Sequence, residues 1–205
     1  MIKILIKFFC CDLHDTKAIL AYYIIQIIGY SGNLARFHDI ESIIQAAYLL
    51  RNNKDITFLF VGEGHKKQWA QDYVIKHKLP NCMFKSYVDR DQLGALLDAF
   101  DIGVVSLCKE NTGLSVPSKT MGLLAAKKPL LAIMDKACEI ALMIKDFNNG
   151  IVIPPNQAKQ LAAEIQSIYT NKALLKTYSL NSEKALNEKY NIDQTASLFT
   201  ELFSK

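Results

Sequence analysis

Four segments of this chain gather the residue types that bind phosphate: glycines that let backbone approach a ligand, small polar donors, and fixed cations. The most informative runs SLCKENTGLSVPSKTMG over residues 106–122. Gly113, Leu114 and Ser115 form a flexible entry, Pro117 stands near a helix start, and Ser118, Lys119 and Thr120 follow in its first turn. The N-terminal end of a helix is the positive end of its dipole, so a lysine there gains from facing an anion. This segment reads as a diphosphate cradle; the plainer alternative is a capped surface helix with an incidental lysine. In GYSGNLARFHD, residues 29–39, Gly32 permits close approach, Asn33 adds an amide and Arg36 offers a permanent cation, or the same run is a tight turn with a surface arginine. VGEG, residues 61–64, sets Gly62 and Gly64 around Glu63 before His65, Lys66 and Lys67, and equally suits a helix-entry turn. SYVDRDQL, residues 86–93, puts Tyr87 and Val88 at a strand end where a base could lie along the backbone, or where Tyr87 is equally just a capping aromatic.

Other chemistries find less support. His14, His38, His65 and His77 are scattered without an HExxH pair, and no serine sits in a GxSxG elbow, which disfavours metal and hydrolase-triad readings. Cys108 lies beside the cradle, yet a small buried hydrophobe is the commoner fate of such a cysteine. The five cysteines are odd in number and form no CxxC pair, which points to a reducing compartment and no zinc site.

The elements that must position these loops follow from periodicity. The 205 residues are 50% hydrophobic and 21% charged, an ordinary globular balance, and a net charge of +4 without a charged block does not indicate nucleic acid as a partner. Short apolar runs at 24–30, 56–61, 83–86, 102–106, 130–134 and 150–153 alternate with helical spacing at 40–50, 66–78, 91–100, 118–126 and 138–145. That alternation predicts an α/β fold, a doubly wound parallel six-stranded Rossmann-like sheet, with Asp39, Asp91 and Ser118 as N-caps. Helices at 157–169, 173–189 and 193–203 follow Pro154 and Pro155. Residues 1–23 have no clear period and form a segment of unknown structure ahead of a nucleotide-sugar-binding unit at 24–205. The longest apolar stretch, 18–30, falls short of a membrane span, and the start lacks a cleavage site for export.

The runs YSGNLARFHDIESIIQAA, FLFVGEGHKKQW, YVDRDQL and GLSVPSKTMGLLAAKKPLLAI, in this order, resemble the carboxyl-terminal, donor-binding domain of family 4 (group 1) glycosyltransferases, closest to the bacterial surface-polysaccharide type. The resemblance covers residues 24–170 and implies a GT-B enzyme. Such an enzyme has two Rossmann-like domains, a nucleoside-diphosphate sugar as substrate, with UDP commoner than GDP, and no required cofactor or metal. Carried over position by position, Gly32 and Asn33 lie under the diphosphate and sugar, and Arg36 takes the place of the phosphate-binding arginine. Gly62, Glu63 and Gly64 border the nucleoside, and the backbone at Tyr87 and Val88 meets the base. Gly113, Leu114 and Ser115 lead into Ser118, Lys119 and Thr120, which hold phosphates and ribose. Arg36 and Lys119 neutralise the leaving nucleoside diphosphate, with Glu110 standing in for the first glutamate of the family's pair.

This chain departs from the family pattern where Gly122 replaces the second glutamate, where Glu41 replaces a lysine, and where Lys127 replaces a glycine before Pro129. The resemblance also implies an acceptor domain before residue 24, for which 23 residues are too few. The expectation is therefore the donor-binding half of a retaining glycosyltransferase, inactive alone or completed by a separate amino-terminal acceptor-binding polypeptide. The alternative is a folded but inactive remnant or interaction module. Cytoplasmic location, with peripheral attachment to the inner membrane face, belongs to the same expectation, as does packing of the last helices against the missing half, with packing on their own sheet as the equal alternative.

Overall fold

The computed structural model describes residues 26–203. The expected segment 1–23, the first two residues of the first expected strand, and Cys10 and Cys11 lie outside the described residues. Six strands, β1 (Gln26–Ser31), β2 (Ile56–Val61), β3 (Cys82–Lys85), β4 (Ile102–Ser106), β5 (Leu130–Ile133) and β6 (Gly150–Ile153), form one sheet in the order β3-β2-β1-β4-β5-β6. Every pairing is parallel. The helices are α1 (Ile40–Leu49), α2 (Lys67–Lys76), α3 (Leu93–Ala99), α4 (Lys119–Ala125), α5 (Glu139–Phe147), α6 (Ala158–Thr170), α7 (Lys172–Lys189) and α8 (Ile192–Phe203).

Parallel strands are covered on both faces, so alternate side chains must feed two apolar layers. Ile28, Tyr30, Phe58 and Phe60 point to one layer, where Ile40, Ile43 and Ile44 of α1 meet Leu161, Ile165 and Ile168 of α6. Ile27, Leu59 and Val61 point to the other, with Leu96 and Leu97 of α3, Leu123 and Leu124 of α4, and Ile140 and Met143 of α5. The carboxyl-terminal helix α7 packs on this same body: Tyr178, Ser182 and Ala185 are buried, and Ser182 Oγ donates to the Lys128 carbonyl at 2.8 Å. Lys127, at a position where the resemblance leads to the expectation of glycine, takes a left-handed φ of 54°, and its ammonium pairs with Glu183 of α7 at 2.6 Å. On α8, Phe199, Leu202 and Phe203 are exposed. No described helix is long and apolar enough to cross a membrane.

Capping departs from expectation in two of three places. Asp39 caps α1 as expected, accepting from the Ser42 N–H at 3.0 Å, and its second oxygen accepts from the Asn156 N–H at 2.8 Å. Asp91 does not cap: it lies inside a 3-10 turn, Arg90–Gln92, closed by the Gln92 N–H donating to the Asp89 carbonyl at 3.0 Å. Ser118 occupies the cap position of α4 without a side-chain bond, because the Pro117 carbonyl already accepts from both the N–H and the hydroxyl of Thr120, at 3.1 and 2.8 Å. Replacing Asp39 by alanine removes the α1 cap and leaves the Asn156 N–H of the β6–α6 connection without this acceptor. The expected loss is about 2 kcal/mol, read as a lower urea midpoint at unchanged slope, with Asp39→Asn recovering part of it.

Candidate functional site

Strand order reverses between β1 and β4, and in open α/β sheets a crevice opens there beyond the carboxyl ends of the strands. A cleft of ≈ 520 Å³ lies at this point, lined by Ser31 at the end of β1, Gly32, Asn33, Phe37 and His38 after it, Leu93 and Leu97 of α3, Ser115 to Lys119 before and at the start of α4, and Gly122 and Leu123.

Three strand-end loops are laced together to make one wall. The Gly32 N–H donates to the Val61 carbonyl at 2.9 Å, the Leu34 N–H to Glu63 at 2.8 Å, the Gly62 N–H to Lys85 at 3.0 Å, and the Lys66 N–H to Leu34 at 2.9 Å. Gly62 has φ of 143°, and a Cβ there would stand 2.0 Å from the Gly32 carbonyl oxygen and 3.3 Å from the Tyr87 ring. Only glycine allows the first and second loops to touch in this way. Gly32 has φ of 135°, and a Cβ on it would meet the end of the Lys119 side chain at 3.2 Å, so bare backbone faces that amine.

Lys119 carries the dominant electrostatic feature. Its Nζ is buried without a hydrogen-bond partner and lies 3.8 Å from the centre of the Tyr30 ring. Burial lowers its pKa to about 7, because a desolvated ammonium finds no carboxylate there to offset the cost. Tyr30 is fixed in turn: its hydroxyl donates to the Asn33 carbonyl at 2.7 Å, and burial raises its own pKa above the ordinary value. His38 sits edge-on to Tyr30, with ring centroids 6.0 Å apart, and its Nδ1 bonds the Ser106 carbonyl. Burial and then the nearby Lys119 lower the His38 pKa to about 4, leaving a neutral imidazole at the cleft wall. The Ser106 hydroxyl accepts from the Asp39 N–H at 2.7 Å, and Lys66 Nζ donates to the His38 carbonyl at 2.7 Å and pairs with Glu41 at 2.8 Å.

Of the residues singled out from sequence, Gly32, Asn33, Ser115, Ser118 and Lys119 line the cleft. Gly62, Glu63, Gly64 and Tyr87 form the adjoining rim, with Val88 half-buried behind it. The Glu63 carboxylate, exposed, is held below its ordinary pKa by hydrogen bonds from Lys67 and then Ser86. Arg36 is exposed and does not line the cleft, and Glu110 is exposed on a 3-10 turn, Lys109–Asn111. Gly113 and Leu114 lie in the exposed approach to α4. Thr120 is fully buried and its hydroxyl braces Pro117, so it shapes the loop from behind. Burial raises the Cys108 thiol above its ordinary pKa.

Sequence reasoning passed over His38, Tyr30 and the apolar wall of Phe37, Leu93 and Leu97. The available signal for His38 was its place one residue before the cap of α1, beyond the first strand's carboxyl end, which is where a parallel sheet puts its ligand contacts.

Comparison with known proteins agrees with this arrangement. Residues 25–185 match the family described as "Glycosyl transferases group 1". "Probable glycosyltransferase WbjE" of Pseudomonas aeruginosa is 36% identical over 147 residues, covering 70% of this chain and 36% of that protein. The chain thus spans about a third of that relative's length. Among solved structures, the carboxyl-terminal domain of a group 1 glycosyl transferase, LpcC, from Francisella tularensis aligns with TM-score 0.70 at 21% identity, covering 90% of this chain and 96% of that one. Anabaena HepE in complex with UDP-glucose aligns with TM-score 0.74 at 16% identity, covering 93% and 51%. The parallel sheet with its cleft at the point of strand reversal, and a family match that runs over both, establish that this chain belongs to the group 1 glycosyl transferases.

Proposed function

We propose that the cleft binds the diphosphate of a nucleoside-diphosphate sugar and that this chain is the donor-binding half of a sugar-transferring enzyme. The observation that carries this reading is the Lys119 amine, buried, without a partner, and aimed across a glycine backbone at the edge of a cleft. A buried amine without a partner destabilises the empty protein, and a diphosphate is the ligand whose charge would repay it. In the transfer step the bond between the sugar's anomeric carbon and the β-phosphate oxygen breaks, and negative charge develops on the leaving diphosphate. Protonated Lys119, with Ser118 and the backbone about Gly32 beside it, would stabilise that charge. Arg36 is the second cation; reaching a ligand requires its exposed side chain to swing towards the cleft. The rim of Gly62 to Gly64 and Tyr87 would take the nucleoside.

Complexes of a structural neighbour with UDP-glucose favour a UDP-sugar as donor. Retention of configuration, a polysaccharide or lipid-linked acceptor, an acceptor-binding partner and attachment at a membrane face complete the proposal and rest on the family resemblance. Glu110 lies outside the cleft lining, so it would act only after the approach to α4 closes over the ligand.

Calorimetric titration of the chain with UDP-glucose, UDP and GDP-mannose tests the reading. The expected result is binding of one nucleotide series in the micromolar to millimolar range. A folded chain that binds none of them would overturn it in favour of an inactive remnant or interaction module.

A further inference from the structure

Lys119 is placed where its protonation state and the contents of the cleft must influence each other. Its Nζ has no hydrogen-bond acceptor within reach, lies 3.8 Å from the Tyr30 ring centre, and abuts the glycine backbone at Gly32. Apart from two carboxylates already engaged by other groups, Glu41 and Asp39, the groups around it are uncharged or cationic. From β1 comes Tyr30, whose hydroxyl is committed to the Asn33 carbonyl. From the loop after β1 comes His38, whose Nδ1 is committed to Ser106. Lys66, at the start of α2, adds positive potential next to His38, although Glu41 pairs with it. From the loop after β3 comes Tyr87, close enough to Tyr30 to raise its pKa further. From α3 come Leu93 and Leu97. The buried carboxylate in this neighbourhood, Asp39, has its two oxygens taken by the Ser42 and Asn156 N–H groups.

We propose that anion binding in the cleft is coupled to uptake of one proton by Lys119, so that pH near neutrality sets the affinity of the site. The coupling rests on the reading of the cleft as a diphosphate site, and adds to it that the empty and filled sites differ in charge. In the empty cleft the amine has a ring and apolar walls around it, and desolvation lowers its pKa to about 7. A diphosphate brings two negative charges and several acceptor oxygens, which favour the ammonium and restore an ordinary lysine pKa. The step is a simple balance: the neutral amine takes a proton from solvent, and the resulting ammonium pairs with phosphate.

The sign follows from linkage. Because the bound-state pKa is the higher, binding is tightest below about pH 7 and weakens above it, by up to tenfold per pH unit, until the bound-state pKa is passed. His38 adds little at these pH values, since its pKa is lowered to about 4 and it is neutral throughout.

Two measurements decide the matter. The first needs no ligand: the chain is produced with 13C-labelled lysine, and the Lys119 Cε resonance, assigned by its loss in Lys119→Arg, is followed against pH. A midpoint near neutrality is expected, and a midpoint in the ordinary lysine range would overturn the coupling whatever the cleft binds. The second is titration with UDP-glucose at pH 8 in buffers of different ionisation enthalpy. UDP-glucose is esterified at both ends of its diphosphate and lacks the ionisation at about pH 6 that a terminal phosphate shows. Uptake close to one proton per site is expected for the wild-type chain and none for Lys119→Arg, which stays charged. Binding without uptake would overturn the coupling and leave the donor-site reading standing. A neutral-range Lys119 midpoint in a chain that binds no UDP-glucose, UDP or GDP-mannose would remove the donor-site reading, and the coupling with it.

Discussion

The Lys119→Met chain is expected to bind nucleotide-sugar between about tenfold and about a hundredfold more weakly than wild type, the loss of one charge-assisted bond worth about 1.5–3 kcal/mol. It is also expected to be at least as stable. Methionine keeps most of the apolar stem but removes the buried nitrogen over the Tyr30 ring, which has no hydrogen-bond partner in the empty protein. Replacing an unpaired buried polar group by an apolar one of similar shape relieves its desolvation cost, so the thermal midpoint of the ligand-free variant should equal or exceed that of wild type. The opposite directions matter. A lysine that merely capped a surface helix would lose neither binding nor a burial penalty, and a lysine in a structural ion pair would lose stability on removal. Paired calorimetric and thermal measurements on the one variant separate the three cases, and equal affinity in the two chains would remove Lys119 from the site.

The second large effect is expected at Gly62. Alanine there must place its Cβ where the Gly32 carbonyl oxygen stands, at 2.0 Å, on a backbone whose φ of 143° side chains rarely adopt. Neither obstacle is a flexible side-chain end, so relief requires the first and second loops to separate and break the bonds from Gly32 to Val61 and from Leu34 to Glu63. The expected cost is about 3 kcal/mol or more, seen as a marked fall in the denaturant midpoint, together with loss of nucleotide binding. Gly122→Ala is the contrasting control: the nearest atom to its Cβ is Leu97 Cδ1 at 3.3 Å, and the position is helical. It should leave stability nearly unchanged, or raise it through helix propensity. A Gly62→Ala chain as stable as wild type would mean that the loops are not locked together as described.

How much of this was legible beforehand depends on the range of the interaction. The elements were readable because β2, buried on both faces, is an apolar run broken only by Thr57, and because a helix such as α1 repeats its apolar residues on one side, at Ile40, Ile43, Ile44 and Ala47. The expected third strand, 83–86, is displaced by one residue from Cys82–Lys85, since strand ends depend on pairing with β2. The expected helix at 91–100 begins with a 3-10 turn, because no side chain near Asp91 fixes where the α-helical bonding starts. In the site, the glycines and Lys119 were visible as residue types at strand ends. Thr120 was not separable from Ser118: residues two positions apart in a helix project to nearly opposite sides, so one is exposed while the other is buried against Pro117.

By itself the sequence determined the α/β class, the places where loops meet helix starts, and through four ordered motifs the family to which the chain belongs. These are properties of local period and local composition, which survive in one dimension. Only the tertiary structure decided that Tyr30, Gly32, His38 and Lys119 form one electrostatic unit and that Arg36 and Glu110 stand outside it. Strand order brings the end of β1 beside β4 and the start of α4, and burial at that junction sets the charge state of Lys119. Neither quantity is a function of any single segment, because desolvation is produced by all the elements that pack around a group at once.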